Sequence, residues 1–353
     1  MKGFRTAILG AGGYIGQEFA RLLSDHPEFE TPLLASGGRS SGRRLEEVWQ
    51  LSEPVPSDLA RRRLVEIGPG PLSSRVDVAF SALPSGTAGP IESSLARRGV
   101  PVFSNAADHR LDPRVPLLIP EVNPAHLGLW RSGRKGPAPI VTNPNCSVTG
   151  LLLALAPLIP VLDPEVVHVA TYQSLSGAGY PGVPSLSVTD NVLPHIPDEE
   201  EKISIEGRRI LGRMGANGIR PKRIRFLAHC ARVGVREGHL EAVTVRARRR
   251  ATRAAIETAW RSFDPLKDAA LVSAPHPPVV VRTEADRPQP LRDRWAGVGR
   301  ARGMAAVVGR LRWEAPYARF FVLSHNAVRG GAGGSVLNAE FASAQGYLTP
   351  RRD

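Results

Sequence analysis

The sequence predicts an α/β protein of two domains: a doubly wound parallel sheet, then an α+β domain on a mostly antiparallel sheet. Two patterns and the length predict it. In the first 145 residues, short apolar runs alternate with polar or helix-like segments, from "TAILG" through "PLLAS", "VDVAFSAL" and "VPVFSNA" to "APIVTN". Strands buried on both faces read as such runs. After residue 150 the runs lengthen and often alternate, as in "VVHVATYQ", "LEAVTVRARR", "PPVVVRTEA", "GMAAVVGRLRW" and "ARFFVLSHNAV". That is the signature of antiparallel strands with one face covered. The 353 residues suit two domains. The expected division is 1–145, completed by a C-terminal helix within 331–353, and 146–330.

Each element follows from local pattern. "RTAILGAGGYIGQEFARLL" reads as strand, glycine turn and helix, with Ile15, Phe19, Leu22 and Leu23 at helical spacing. "DEEEKISIEGRRILGRM" and "TRAAIETAWRSF" read as helices within the second half. "GGAGGSVLNAEFASAQGYL" begins in glycines, continues as a helix, and is expected to return to the first domain.

Composition narrows the function. Lys and Arg number 46 against 33 Asp and Glu, a net charge of +13. No aromatic-interleaved basic stretch accompanies the arginine clusters, so they read as solvated faces and nucleic acid is not an expected partner. Two cysteines without paired spacing exclude a disulfide framework and a zinc site. The apolar run "GLLLALAPLIPVL" is too short for a bilayer crossing. The expectation is a reduced, soluble, cytoplasmic protein with no metal and no membrane partner.

The glycine turn Gly10-Ala11-Gly12-Gly13-Tyr14-Ile15-Gly16 opens a helix, where backbone N–H groups can meet a phosphate. This makes the first domain Rossmann-type. An NAD site places an acid at the end of the second strand, but "ASGGRSSGRR" has none before Glu46. Ser36, Arg39 and Ser40 suit a 2′-phosphate instead, pointing to NADP.

The thiol of Cys146 stands where an extended segment meets an apolar helix, in "TNPNCSVTGLLLALAPL". A helix start lowers a thiol pKa and offers N–H donors to an oxyanion. Gln173 ends a strand before a glycine turn, Arg232 and His239 are seven residues apart, and Glu199 and Lys202 share a helix face.

These residues carry a resemblance. "NPNCS", "YQSLSGAGYPGVPS", "DNVLPHIPDEEEKI", the Arg232–His239 segment, "LIPEVNP" and "HNAVRGGAGGSVLNAE" resemble the aspartate-β-semialdehyde dehydrogenases, in particular their archaeal and fungal branch. The resemblance implies NADPH-dependent reduction of β-aspartyl phosphate to aspartate semialdehyde and phosphate through a thioester. It implies Cys146 as nucleophile, His239 as acid/base residue and Gln173 as the group orienting the thioester. Arg232 is implied on the substrate carboxylate, Glu199 on its ammonium, and Lys202, Arg110 and Asn105 on phosphate. Asn338 is implied on the nicotinamide carboxamide, and Gly10, Gly12, Gly13, Tyr14, Ile15, Ser81, Ser176 and Gly177 on the remaining cofactor. A homodimer or homotetramer is implied. Departures from the family pattern include Gly12 in place of Thr, Ala231 in place of Asn, and "LWRSGRKGPAP", which looks like an insertion.

Two rival readings remain. An N-acetyl-γ-glutamyl-phosphate reductase, or a paralogue acting on a related acyl phosphate, shares the chemistry; an acetylated substrate offers Glu199 no ammonium. A catalytically silent NADP-binding sensor makes the Cys–Gln–Arg–His set a relic.

Overall fold

The computed structural model describes residues 3–132, 138–215 and 218–350. Five residues of the "LWRSGRKGPAP" segment, 133–137, lie outside them. The chain forms two compact units. One comprises Met1–Leu118, Ala125–Pro144 and Gly331–Asp353, the other Ile119–Pro124 and Asn145–Gly330. The main helices are α1 (Tyr14–Leu23), α2 (Ala88–Arg97), α3 (Cys146–Leu155), α4 (Glu199–Ile210), α5 (Arg253–Arg261) and α6 (Gly333–Ala344).

The first unit holds strands β1 (Thr6–Leu9), β2 (Leu33–Ser36), β3 (Val65–Glu66), β4 (Val78–Ser81), β5 (Val102–Ser104) and β6 (Ile140–Thr142). They run parallel in the order β3-β2-β1-β4-β5-β6. The order reverses at β1, whose C-terminal end feeds the glycine turn; open α/β sheets bind ligands at such a switch point. Alternation along the strands divides the core. Ala7, Leu9, Ala79 and Val102 pack with Leu95 and Ala96 of α2. The residues between them point to the other face, where Phe80 meets Phe19 of α1 at 5.4 Å and stacks on Phe103 at 5.9 Å. Helix α6 packs against α1, and a buried bond of 2.9 Å ties Glu340 Oε1 to His26 Nε2. β3 was not expected: two exposed residues carry no apolar run.

The second unit holds β7 (Pro164–Gln173), a small hairpin of β8 (Arg213–Gly215) and β9 (Gly218–Arg220), then β10 (Arg225–Arg232), β11 (His239–Ala247), β12 (Val279–Val281), β13 (Ala306–Glu314) and β14 (Tyr317–Ser324). Its six-stranded sheet has the order β10-β7-β11-β14-β13-β12. The three central pairings are antiparallel and the two outer ones parallel. The sheet is therefore mixed but mostly antiparallel, as expected. One face is covered by helices. α3 is apolar all round and buried along nearly its whole length, as a helix enclosed by protein must be. It approaches β14 so closely that a Cβ on Gly150 would lie 2.3 Å from Ser324 Oγ. Trp260 of α5 donates Nε1–H to Ala154 O at 2.8 Å and meets Phe320 edge-on at 5.0 Å. The opposite face is open, with Tyr172, Leu227 and Tyr317 each exposed.

Candidate active site

The site in the second unit starts from a helix cap. Asn145 precedes α3, and its Oδ1 accepts Ser147 N–H at 2.9 Å and Val148 N–H at 3.4 Å, satisfying donors that a helix start leaves open. Its Nδ2 donates to Glu199 Oε1 at 2.5 Å, and its backbone N–H donates to Glu206 Oε2 at 2.7 Å. One asparagine thus fixes both the mouth of α3 and the start of α4. This corrects one expectation. Those two first-turn N–H groups, which the sequence offered to an oxyanion, are already engaged by Asn145.

Cys146 is the first residue of α3, half-buried, with Sγ 3.1 Å from His239 Nε2. Gly330 lies against it: a Cβ there would fall 2.6 Å from the Cys146 Cβ, so only glycine allows this approach. Neighbouring strands bring the partners together. Gln173 ends β7, Arg232 ends β10 opposite it, and His239 begins β11, which pairs with β7 on its other side. All three are buried. Sequence separation of 66 residues between Gln173 and His239 disappears across a single strand pairing.

Electrostatics sharpen the arrangement. Burial, and after it the charge of Arg232, depress the His239 imidazole to about 3. Burial also draws the Arg232 guanidinium below its usual range, a shift opposed by the negative charges of Cys146 and Glu199. Arg232 Nη1 donates to Ser174 O at 2.7 Å. Gly177 closes over both side chains; a Cβ there would sit 2.7 Å from Arg232 Nη1 and 3.1 Å from His239 Cε1. Gln173 Nε2 donates to Thr171 Oγ1 at 3.3 Å. Glu199 is buried against Asn145, whereas Lys202, one turn later, lies 3.8 Å from Asp198 Oδ2. Ser176 Oγ accepts from Asn326 Nδ2 at 2.8 Å.

The remaining predicted residues lie in the first unit. Gly10 has φ +81° and its N–H donates to Ala35 O at 2.8 Å. A Cβ on Gly16 would fall 2.0 Å from Gly10 O, so the turn closes only with glycine. Tyr14 and Ile15 begin α1. Gly13 is the N-cap of α1, and a helix start of this kind can meet a phosphate. Gly12 faces the hydroxyls of Ser36 and Ser40, within 3.0 Å of where its Cβ would be. Arg39 lies in the same one-turn helix, Gly38–Ser40; its side chain lies outside the described residues. Ser81 ends β4 and its carbonyl accepts Asn105 N–H at 3.0 Å. Arg110 Nη2 donates to Asn105 O at 2.7 Å, bringing those two together. Asn338 of α6 is buried; its Nδ2 donates to Leu118 O at 3.3 Å while its Oδ1 has no partner among the described residues. A buried carboxamide with an open acceptor fits a donor from a ligand, and the turn fits a dinucleotide phosphate.

Sequence reasoning missed several of these parts. Asn145 had a signal, an Asn immediately before an apolar helix. Ser174, Asn326 and Glu206 had none, because their partners are remote in sequence. Among the described residues no group of three metal-ligating side chains forms a site, and no helix is long and apolar enough to cross a membrane.

A two-domain chain with a glycine-turn parallel sheet and a cysteine–histidine pair on a mixed sheet defines a class of nucleotide-dependent, thiol-using enzymes. The family model described as "Semialdehyde dehydrogenase, NAD binding domain" matches residues 5–130, and "Semialdehyde dehydrogenase, dimerisation domain" matches residues 155–329. The chain belongs to the semialdehyde dehydrogenase family. It is 43% identical to the aspartate-semialdehyde dehydrogenase of Archaeoglobus fulgidus over 96% of this chain and 97% of that one. It is 40% identical to the malonyl CoA reductase (NADP) of Metallosphaera sedula over 98% of this chain and 99% of that one. The crystal structure of the Candida albicans aspartate-semialdehyde dehydrogenase with NADP superposes with a TM-score of 0.87 at 32% identity, covering 98% and 100% of the two chains.

Proposed function

We propose that this chain is an NADP-dependent aspartate-semialdehyde dehydrogenase, converting L-aspartyl-4-phosphate to L-aspartate-4-semialdehyde and phosphate within amino-acid biosynthesis toward lysine, methionine and threonine. The observation that carries the reading is Cys146 Sγ at 3.1 Å from His239 Nε2 at the mouth of α3, in a chain this similar to enzymes of that name. The Ser36 and Ser40 hydroxyls beside Gly12 and the absence of an acid between β2 and Glu46 support NADP. Gly10, Gly12, Gly13, Tyr14, Ile15, Ser36, Arg39, Ser40, Ser81, Ser176, Gly177 and Asn338 would hold it, and when bound it supplies the hydride.

The chain's own residues do the rest. Cys146 Sγ attacks the acyl carbon, the bond to phosphate oxygen breaks, and a thioester remains on the sulfur. Gln173 orients that thioester as a neutral donor and acceptor. Arg232 forks onto the substrate carboxylate, and Glu199 meets the ammonium. Lys202, Arg110 and Asn105 receive the phosphate. His239, whose Nε2 lies 3.1 Å from the sulfur, serves as the acid/base residue. Release of the aldehyde returns Cys146 to its starting state.

Residues 1–145 with 331–353 are assigned to NADP and residues 146–330 to catalysis and dimerisation. The open sheet face around Tyr172, Leu227 and Tyr317 supports a homodimer or a homotetramer. Two cysteines held as thiols support a reducing, cytoplasmic setting.

The malonyl CoA reductase relative favours a second reading, an enzyme for a related acyl substrate. Malonyl CoA carries no ammonium, and the buried Glu199 carboxylate argues against it here. The test is purified protein with aspartate semialdehyde, phosphate and NADP, followed by absorbance of the reduced nicotinamide. Parallel assays use N-acetylglutamate semialdehyde, and malonyl CoA with NADPH. Turnover of either alternative above that of aspartate semialdehyde overturns the assignment.

A further inference from the structure

We propose that Asp108 is a positioning residue for Arg110: its carboxylate clips the loop that follows β5 onto the start of α2 and so fixes the guanidinium for phosphate. The inference rests on Arg110 receiving the phosphate, as assigned above.

The start of α2 has open donors. Thr87, at its N-cap, takes none of them through its side chain, and Pro90 in its first turn has no N–H to offer. The acceptor comes from another segment of the chain. Gly86 N–H donates to both oxygens of Asp108 at 3.0 Å, and Gly89 N–H donates to Oδ1, also at 3.0 Å. A negative charge there also meets the positive end of the helix dipole. Gly86 has φ +88°, a conformation that strains other residues, and a Cβ on Gly89 would crowd Oδ1 at 3.1 Å.

The two phosphate residues of this loop are anchored by different contacts. Asn105 N–H donates to Ser81 O at 3.0 Å, and Asn105 Oδ1 accepts from Asn143 Nδ2 at 3.2 Å and Ser335 Oγ at 3.3 Å. Just before it, Ser104 Oγ donates to the buried Glu92 carboxylate at 2.7 Å. Residues 107–110 are held against α2 instead. Ala107 N–H donates to Ser85 Oγ at 2.9 Å, next to the glycines that Asp108 accepts from. His109 Nε2 lies 3.5 Å from Glu92 Oε2. The loop then turns back on itself, with Arg110 N–H on Ala107 O at 3.1 Å and Arg110 Nη2 on Asn105 O at 2.7 Å. Asp108 therefore bears on Arg110 rather than on Asn105. A planar fork reads phosphate by geometry, so a small displacement of its backbone weakens it sharply.

The test measures KM for phosphate with the full-length protein, aspartate semialdehyde and NADP. Asp108→Ala is expected to raise it about tenfold, with kcat and the KM for the aldehyde within about twofold of the parent. Asp108→Asn is expected to stay within about threefold, because Oδ1 alone reaches both amides and a carboxamide keeps one such oxygen. In an Arg110→Ala background the Asp108→Ala change is expected to move the phosphate KM by less than about twofold, since a residue that acts through another loses its effect when that other is gone. An equal effect in both backgrounds, or an aldehyde KM that rises with the phosphate KM, overturns the proposal, because Asp108 then supports the fold and not the fork. Broadening of the ³¹P signal of inorganic phosphate reads the same affinities without turnover. A protein inactive on aspartate semialdehyde, in which Asp108→Ala and Arg110→Ala each weaken phosphate binding, supports the positioning role and refutes only the substrate. Phosphate binding that Asp108→Ala leaves unchanged overturns the role itself.

Discussion

Cys146 begins a helix, half-buried, with an imidazole nitrogen 3.1 Å from its sulfur. Cys230 lies inside β10, 2% exposed, among Thr171 and the carboxylates of Glu199, Glu241 and Glu200. Burial first pushes the Cys230 thiol up to about 12, opposed by the bond with Thr171 and assisted by the charges of Glu199, Glu241 and Glu200. Both cysteines belong to one unit, and neither is joined to the other by a disulfide. The contrast shows that a thiol becomes a nucleophile through its place on an element: a helix mouth leaves the sulfur open, whereas a strand interior seals it.

Substitutions break this comparison at different depths. The largest effect is expected from Cys146→Ser, about a thousandfold or more in kcat for phosphate-dependent NADP reduction; turnover within tenfold of the parent protein refutes the assignment. Iodoacetamide at mildly alkaline pH is expected to label Cys146 about a hundredfold faster than Cys230, read by peptide mass spectrometry. Equal labelling removes the distinction. Arg232→Ala is expected to raise KM for the aldehyde roughly tenfold or more. Arg232→Lys should recover little of it, because an ammonium cannot form the planar fork.

The smallest effect concerns the carboxylates beside Cys230. Glu241 is 1% exposed, with neither oxygen bonded among the described residues. Burial, then Glu199, holds its carboxyl well above the ordinary value of 4.5. A raised folded-state value means that the group supports stability at low pH and that this support is lost as pH rises through that value. Glu241→Gln cannot ionise and escapes the loss. It is expected to melt with the parent near pH 5 and a few degrees above it at alkaline pH, equivalent to about 1–3 kcal/mol. A constant offset across pH shows that packing, and not charge, sets the difference.

Much of this was legible in the chain. The glycine turn, the runs of the parallel sheet and the helix behind Cys146 follow from local pattern, because glycine geometry and apolar periodicity are properties of neighbouring residues. β10 was not read as a strand. Its alternation places Phe226, Cys230 and Arg232 inward but Arg225, Leu227 and His229 outward, without a continuous apolar run. The chain also marked Cys146, Gln173, Arg232 and His239 one by one, yet nothing local put them together.

By itself the sequence determined the two-domain α/β class, the dinucleotide turn without an acid after β2, and a thiol at a helix start. The tertiary structure alone decided that β10, β7 and β11 lie side by side, so that three strand ends meet at one sulfur. It also decided that Asn145 occupies first-turn donors of α3 and that the Ser174 N–H and hydroxyl both lie 3.2 Å from His239 Nδ1. The physical reason is range: torsion and periodicity act over a few residues, whereas strand order and hydrogen-bond partnership depend on segments up to 314 positions apart.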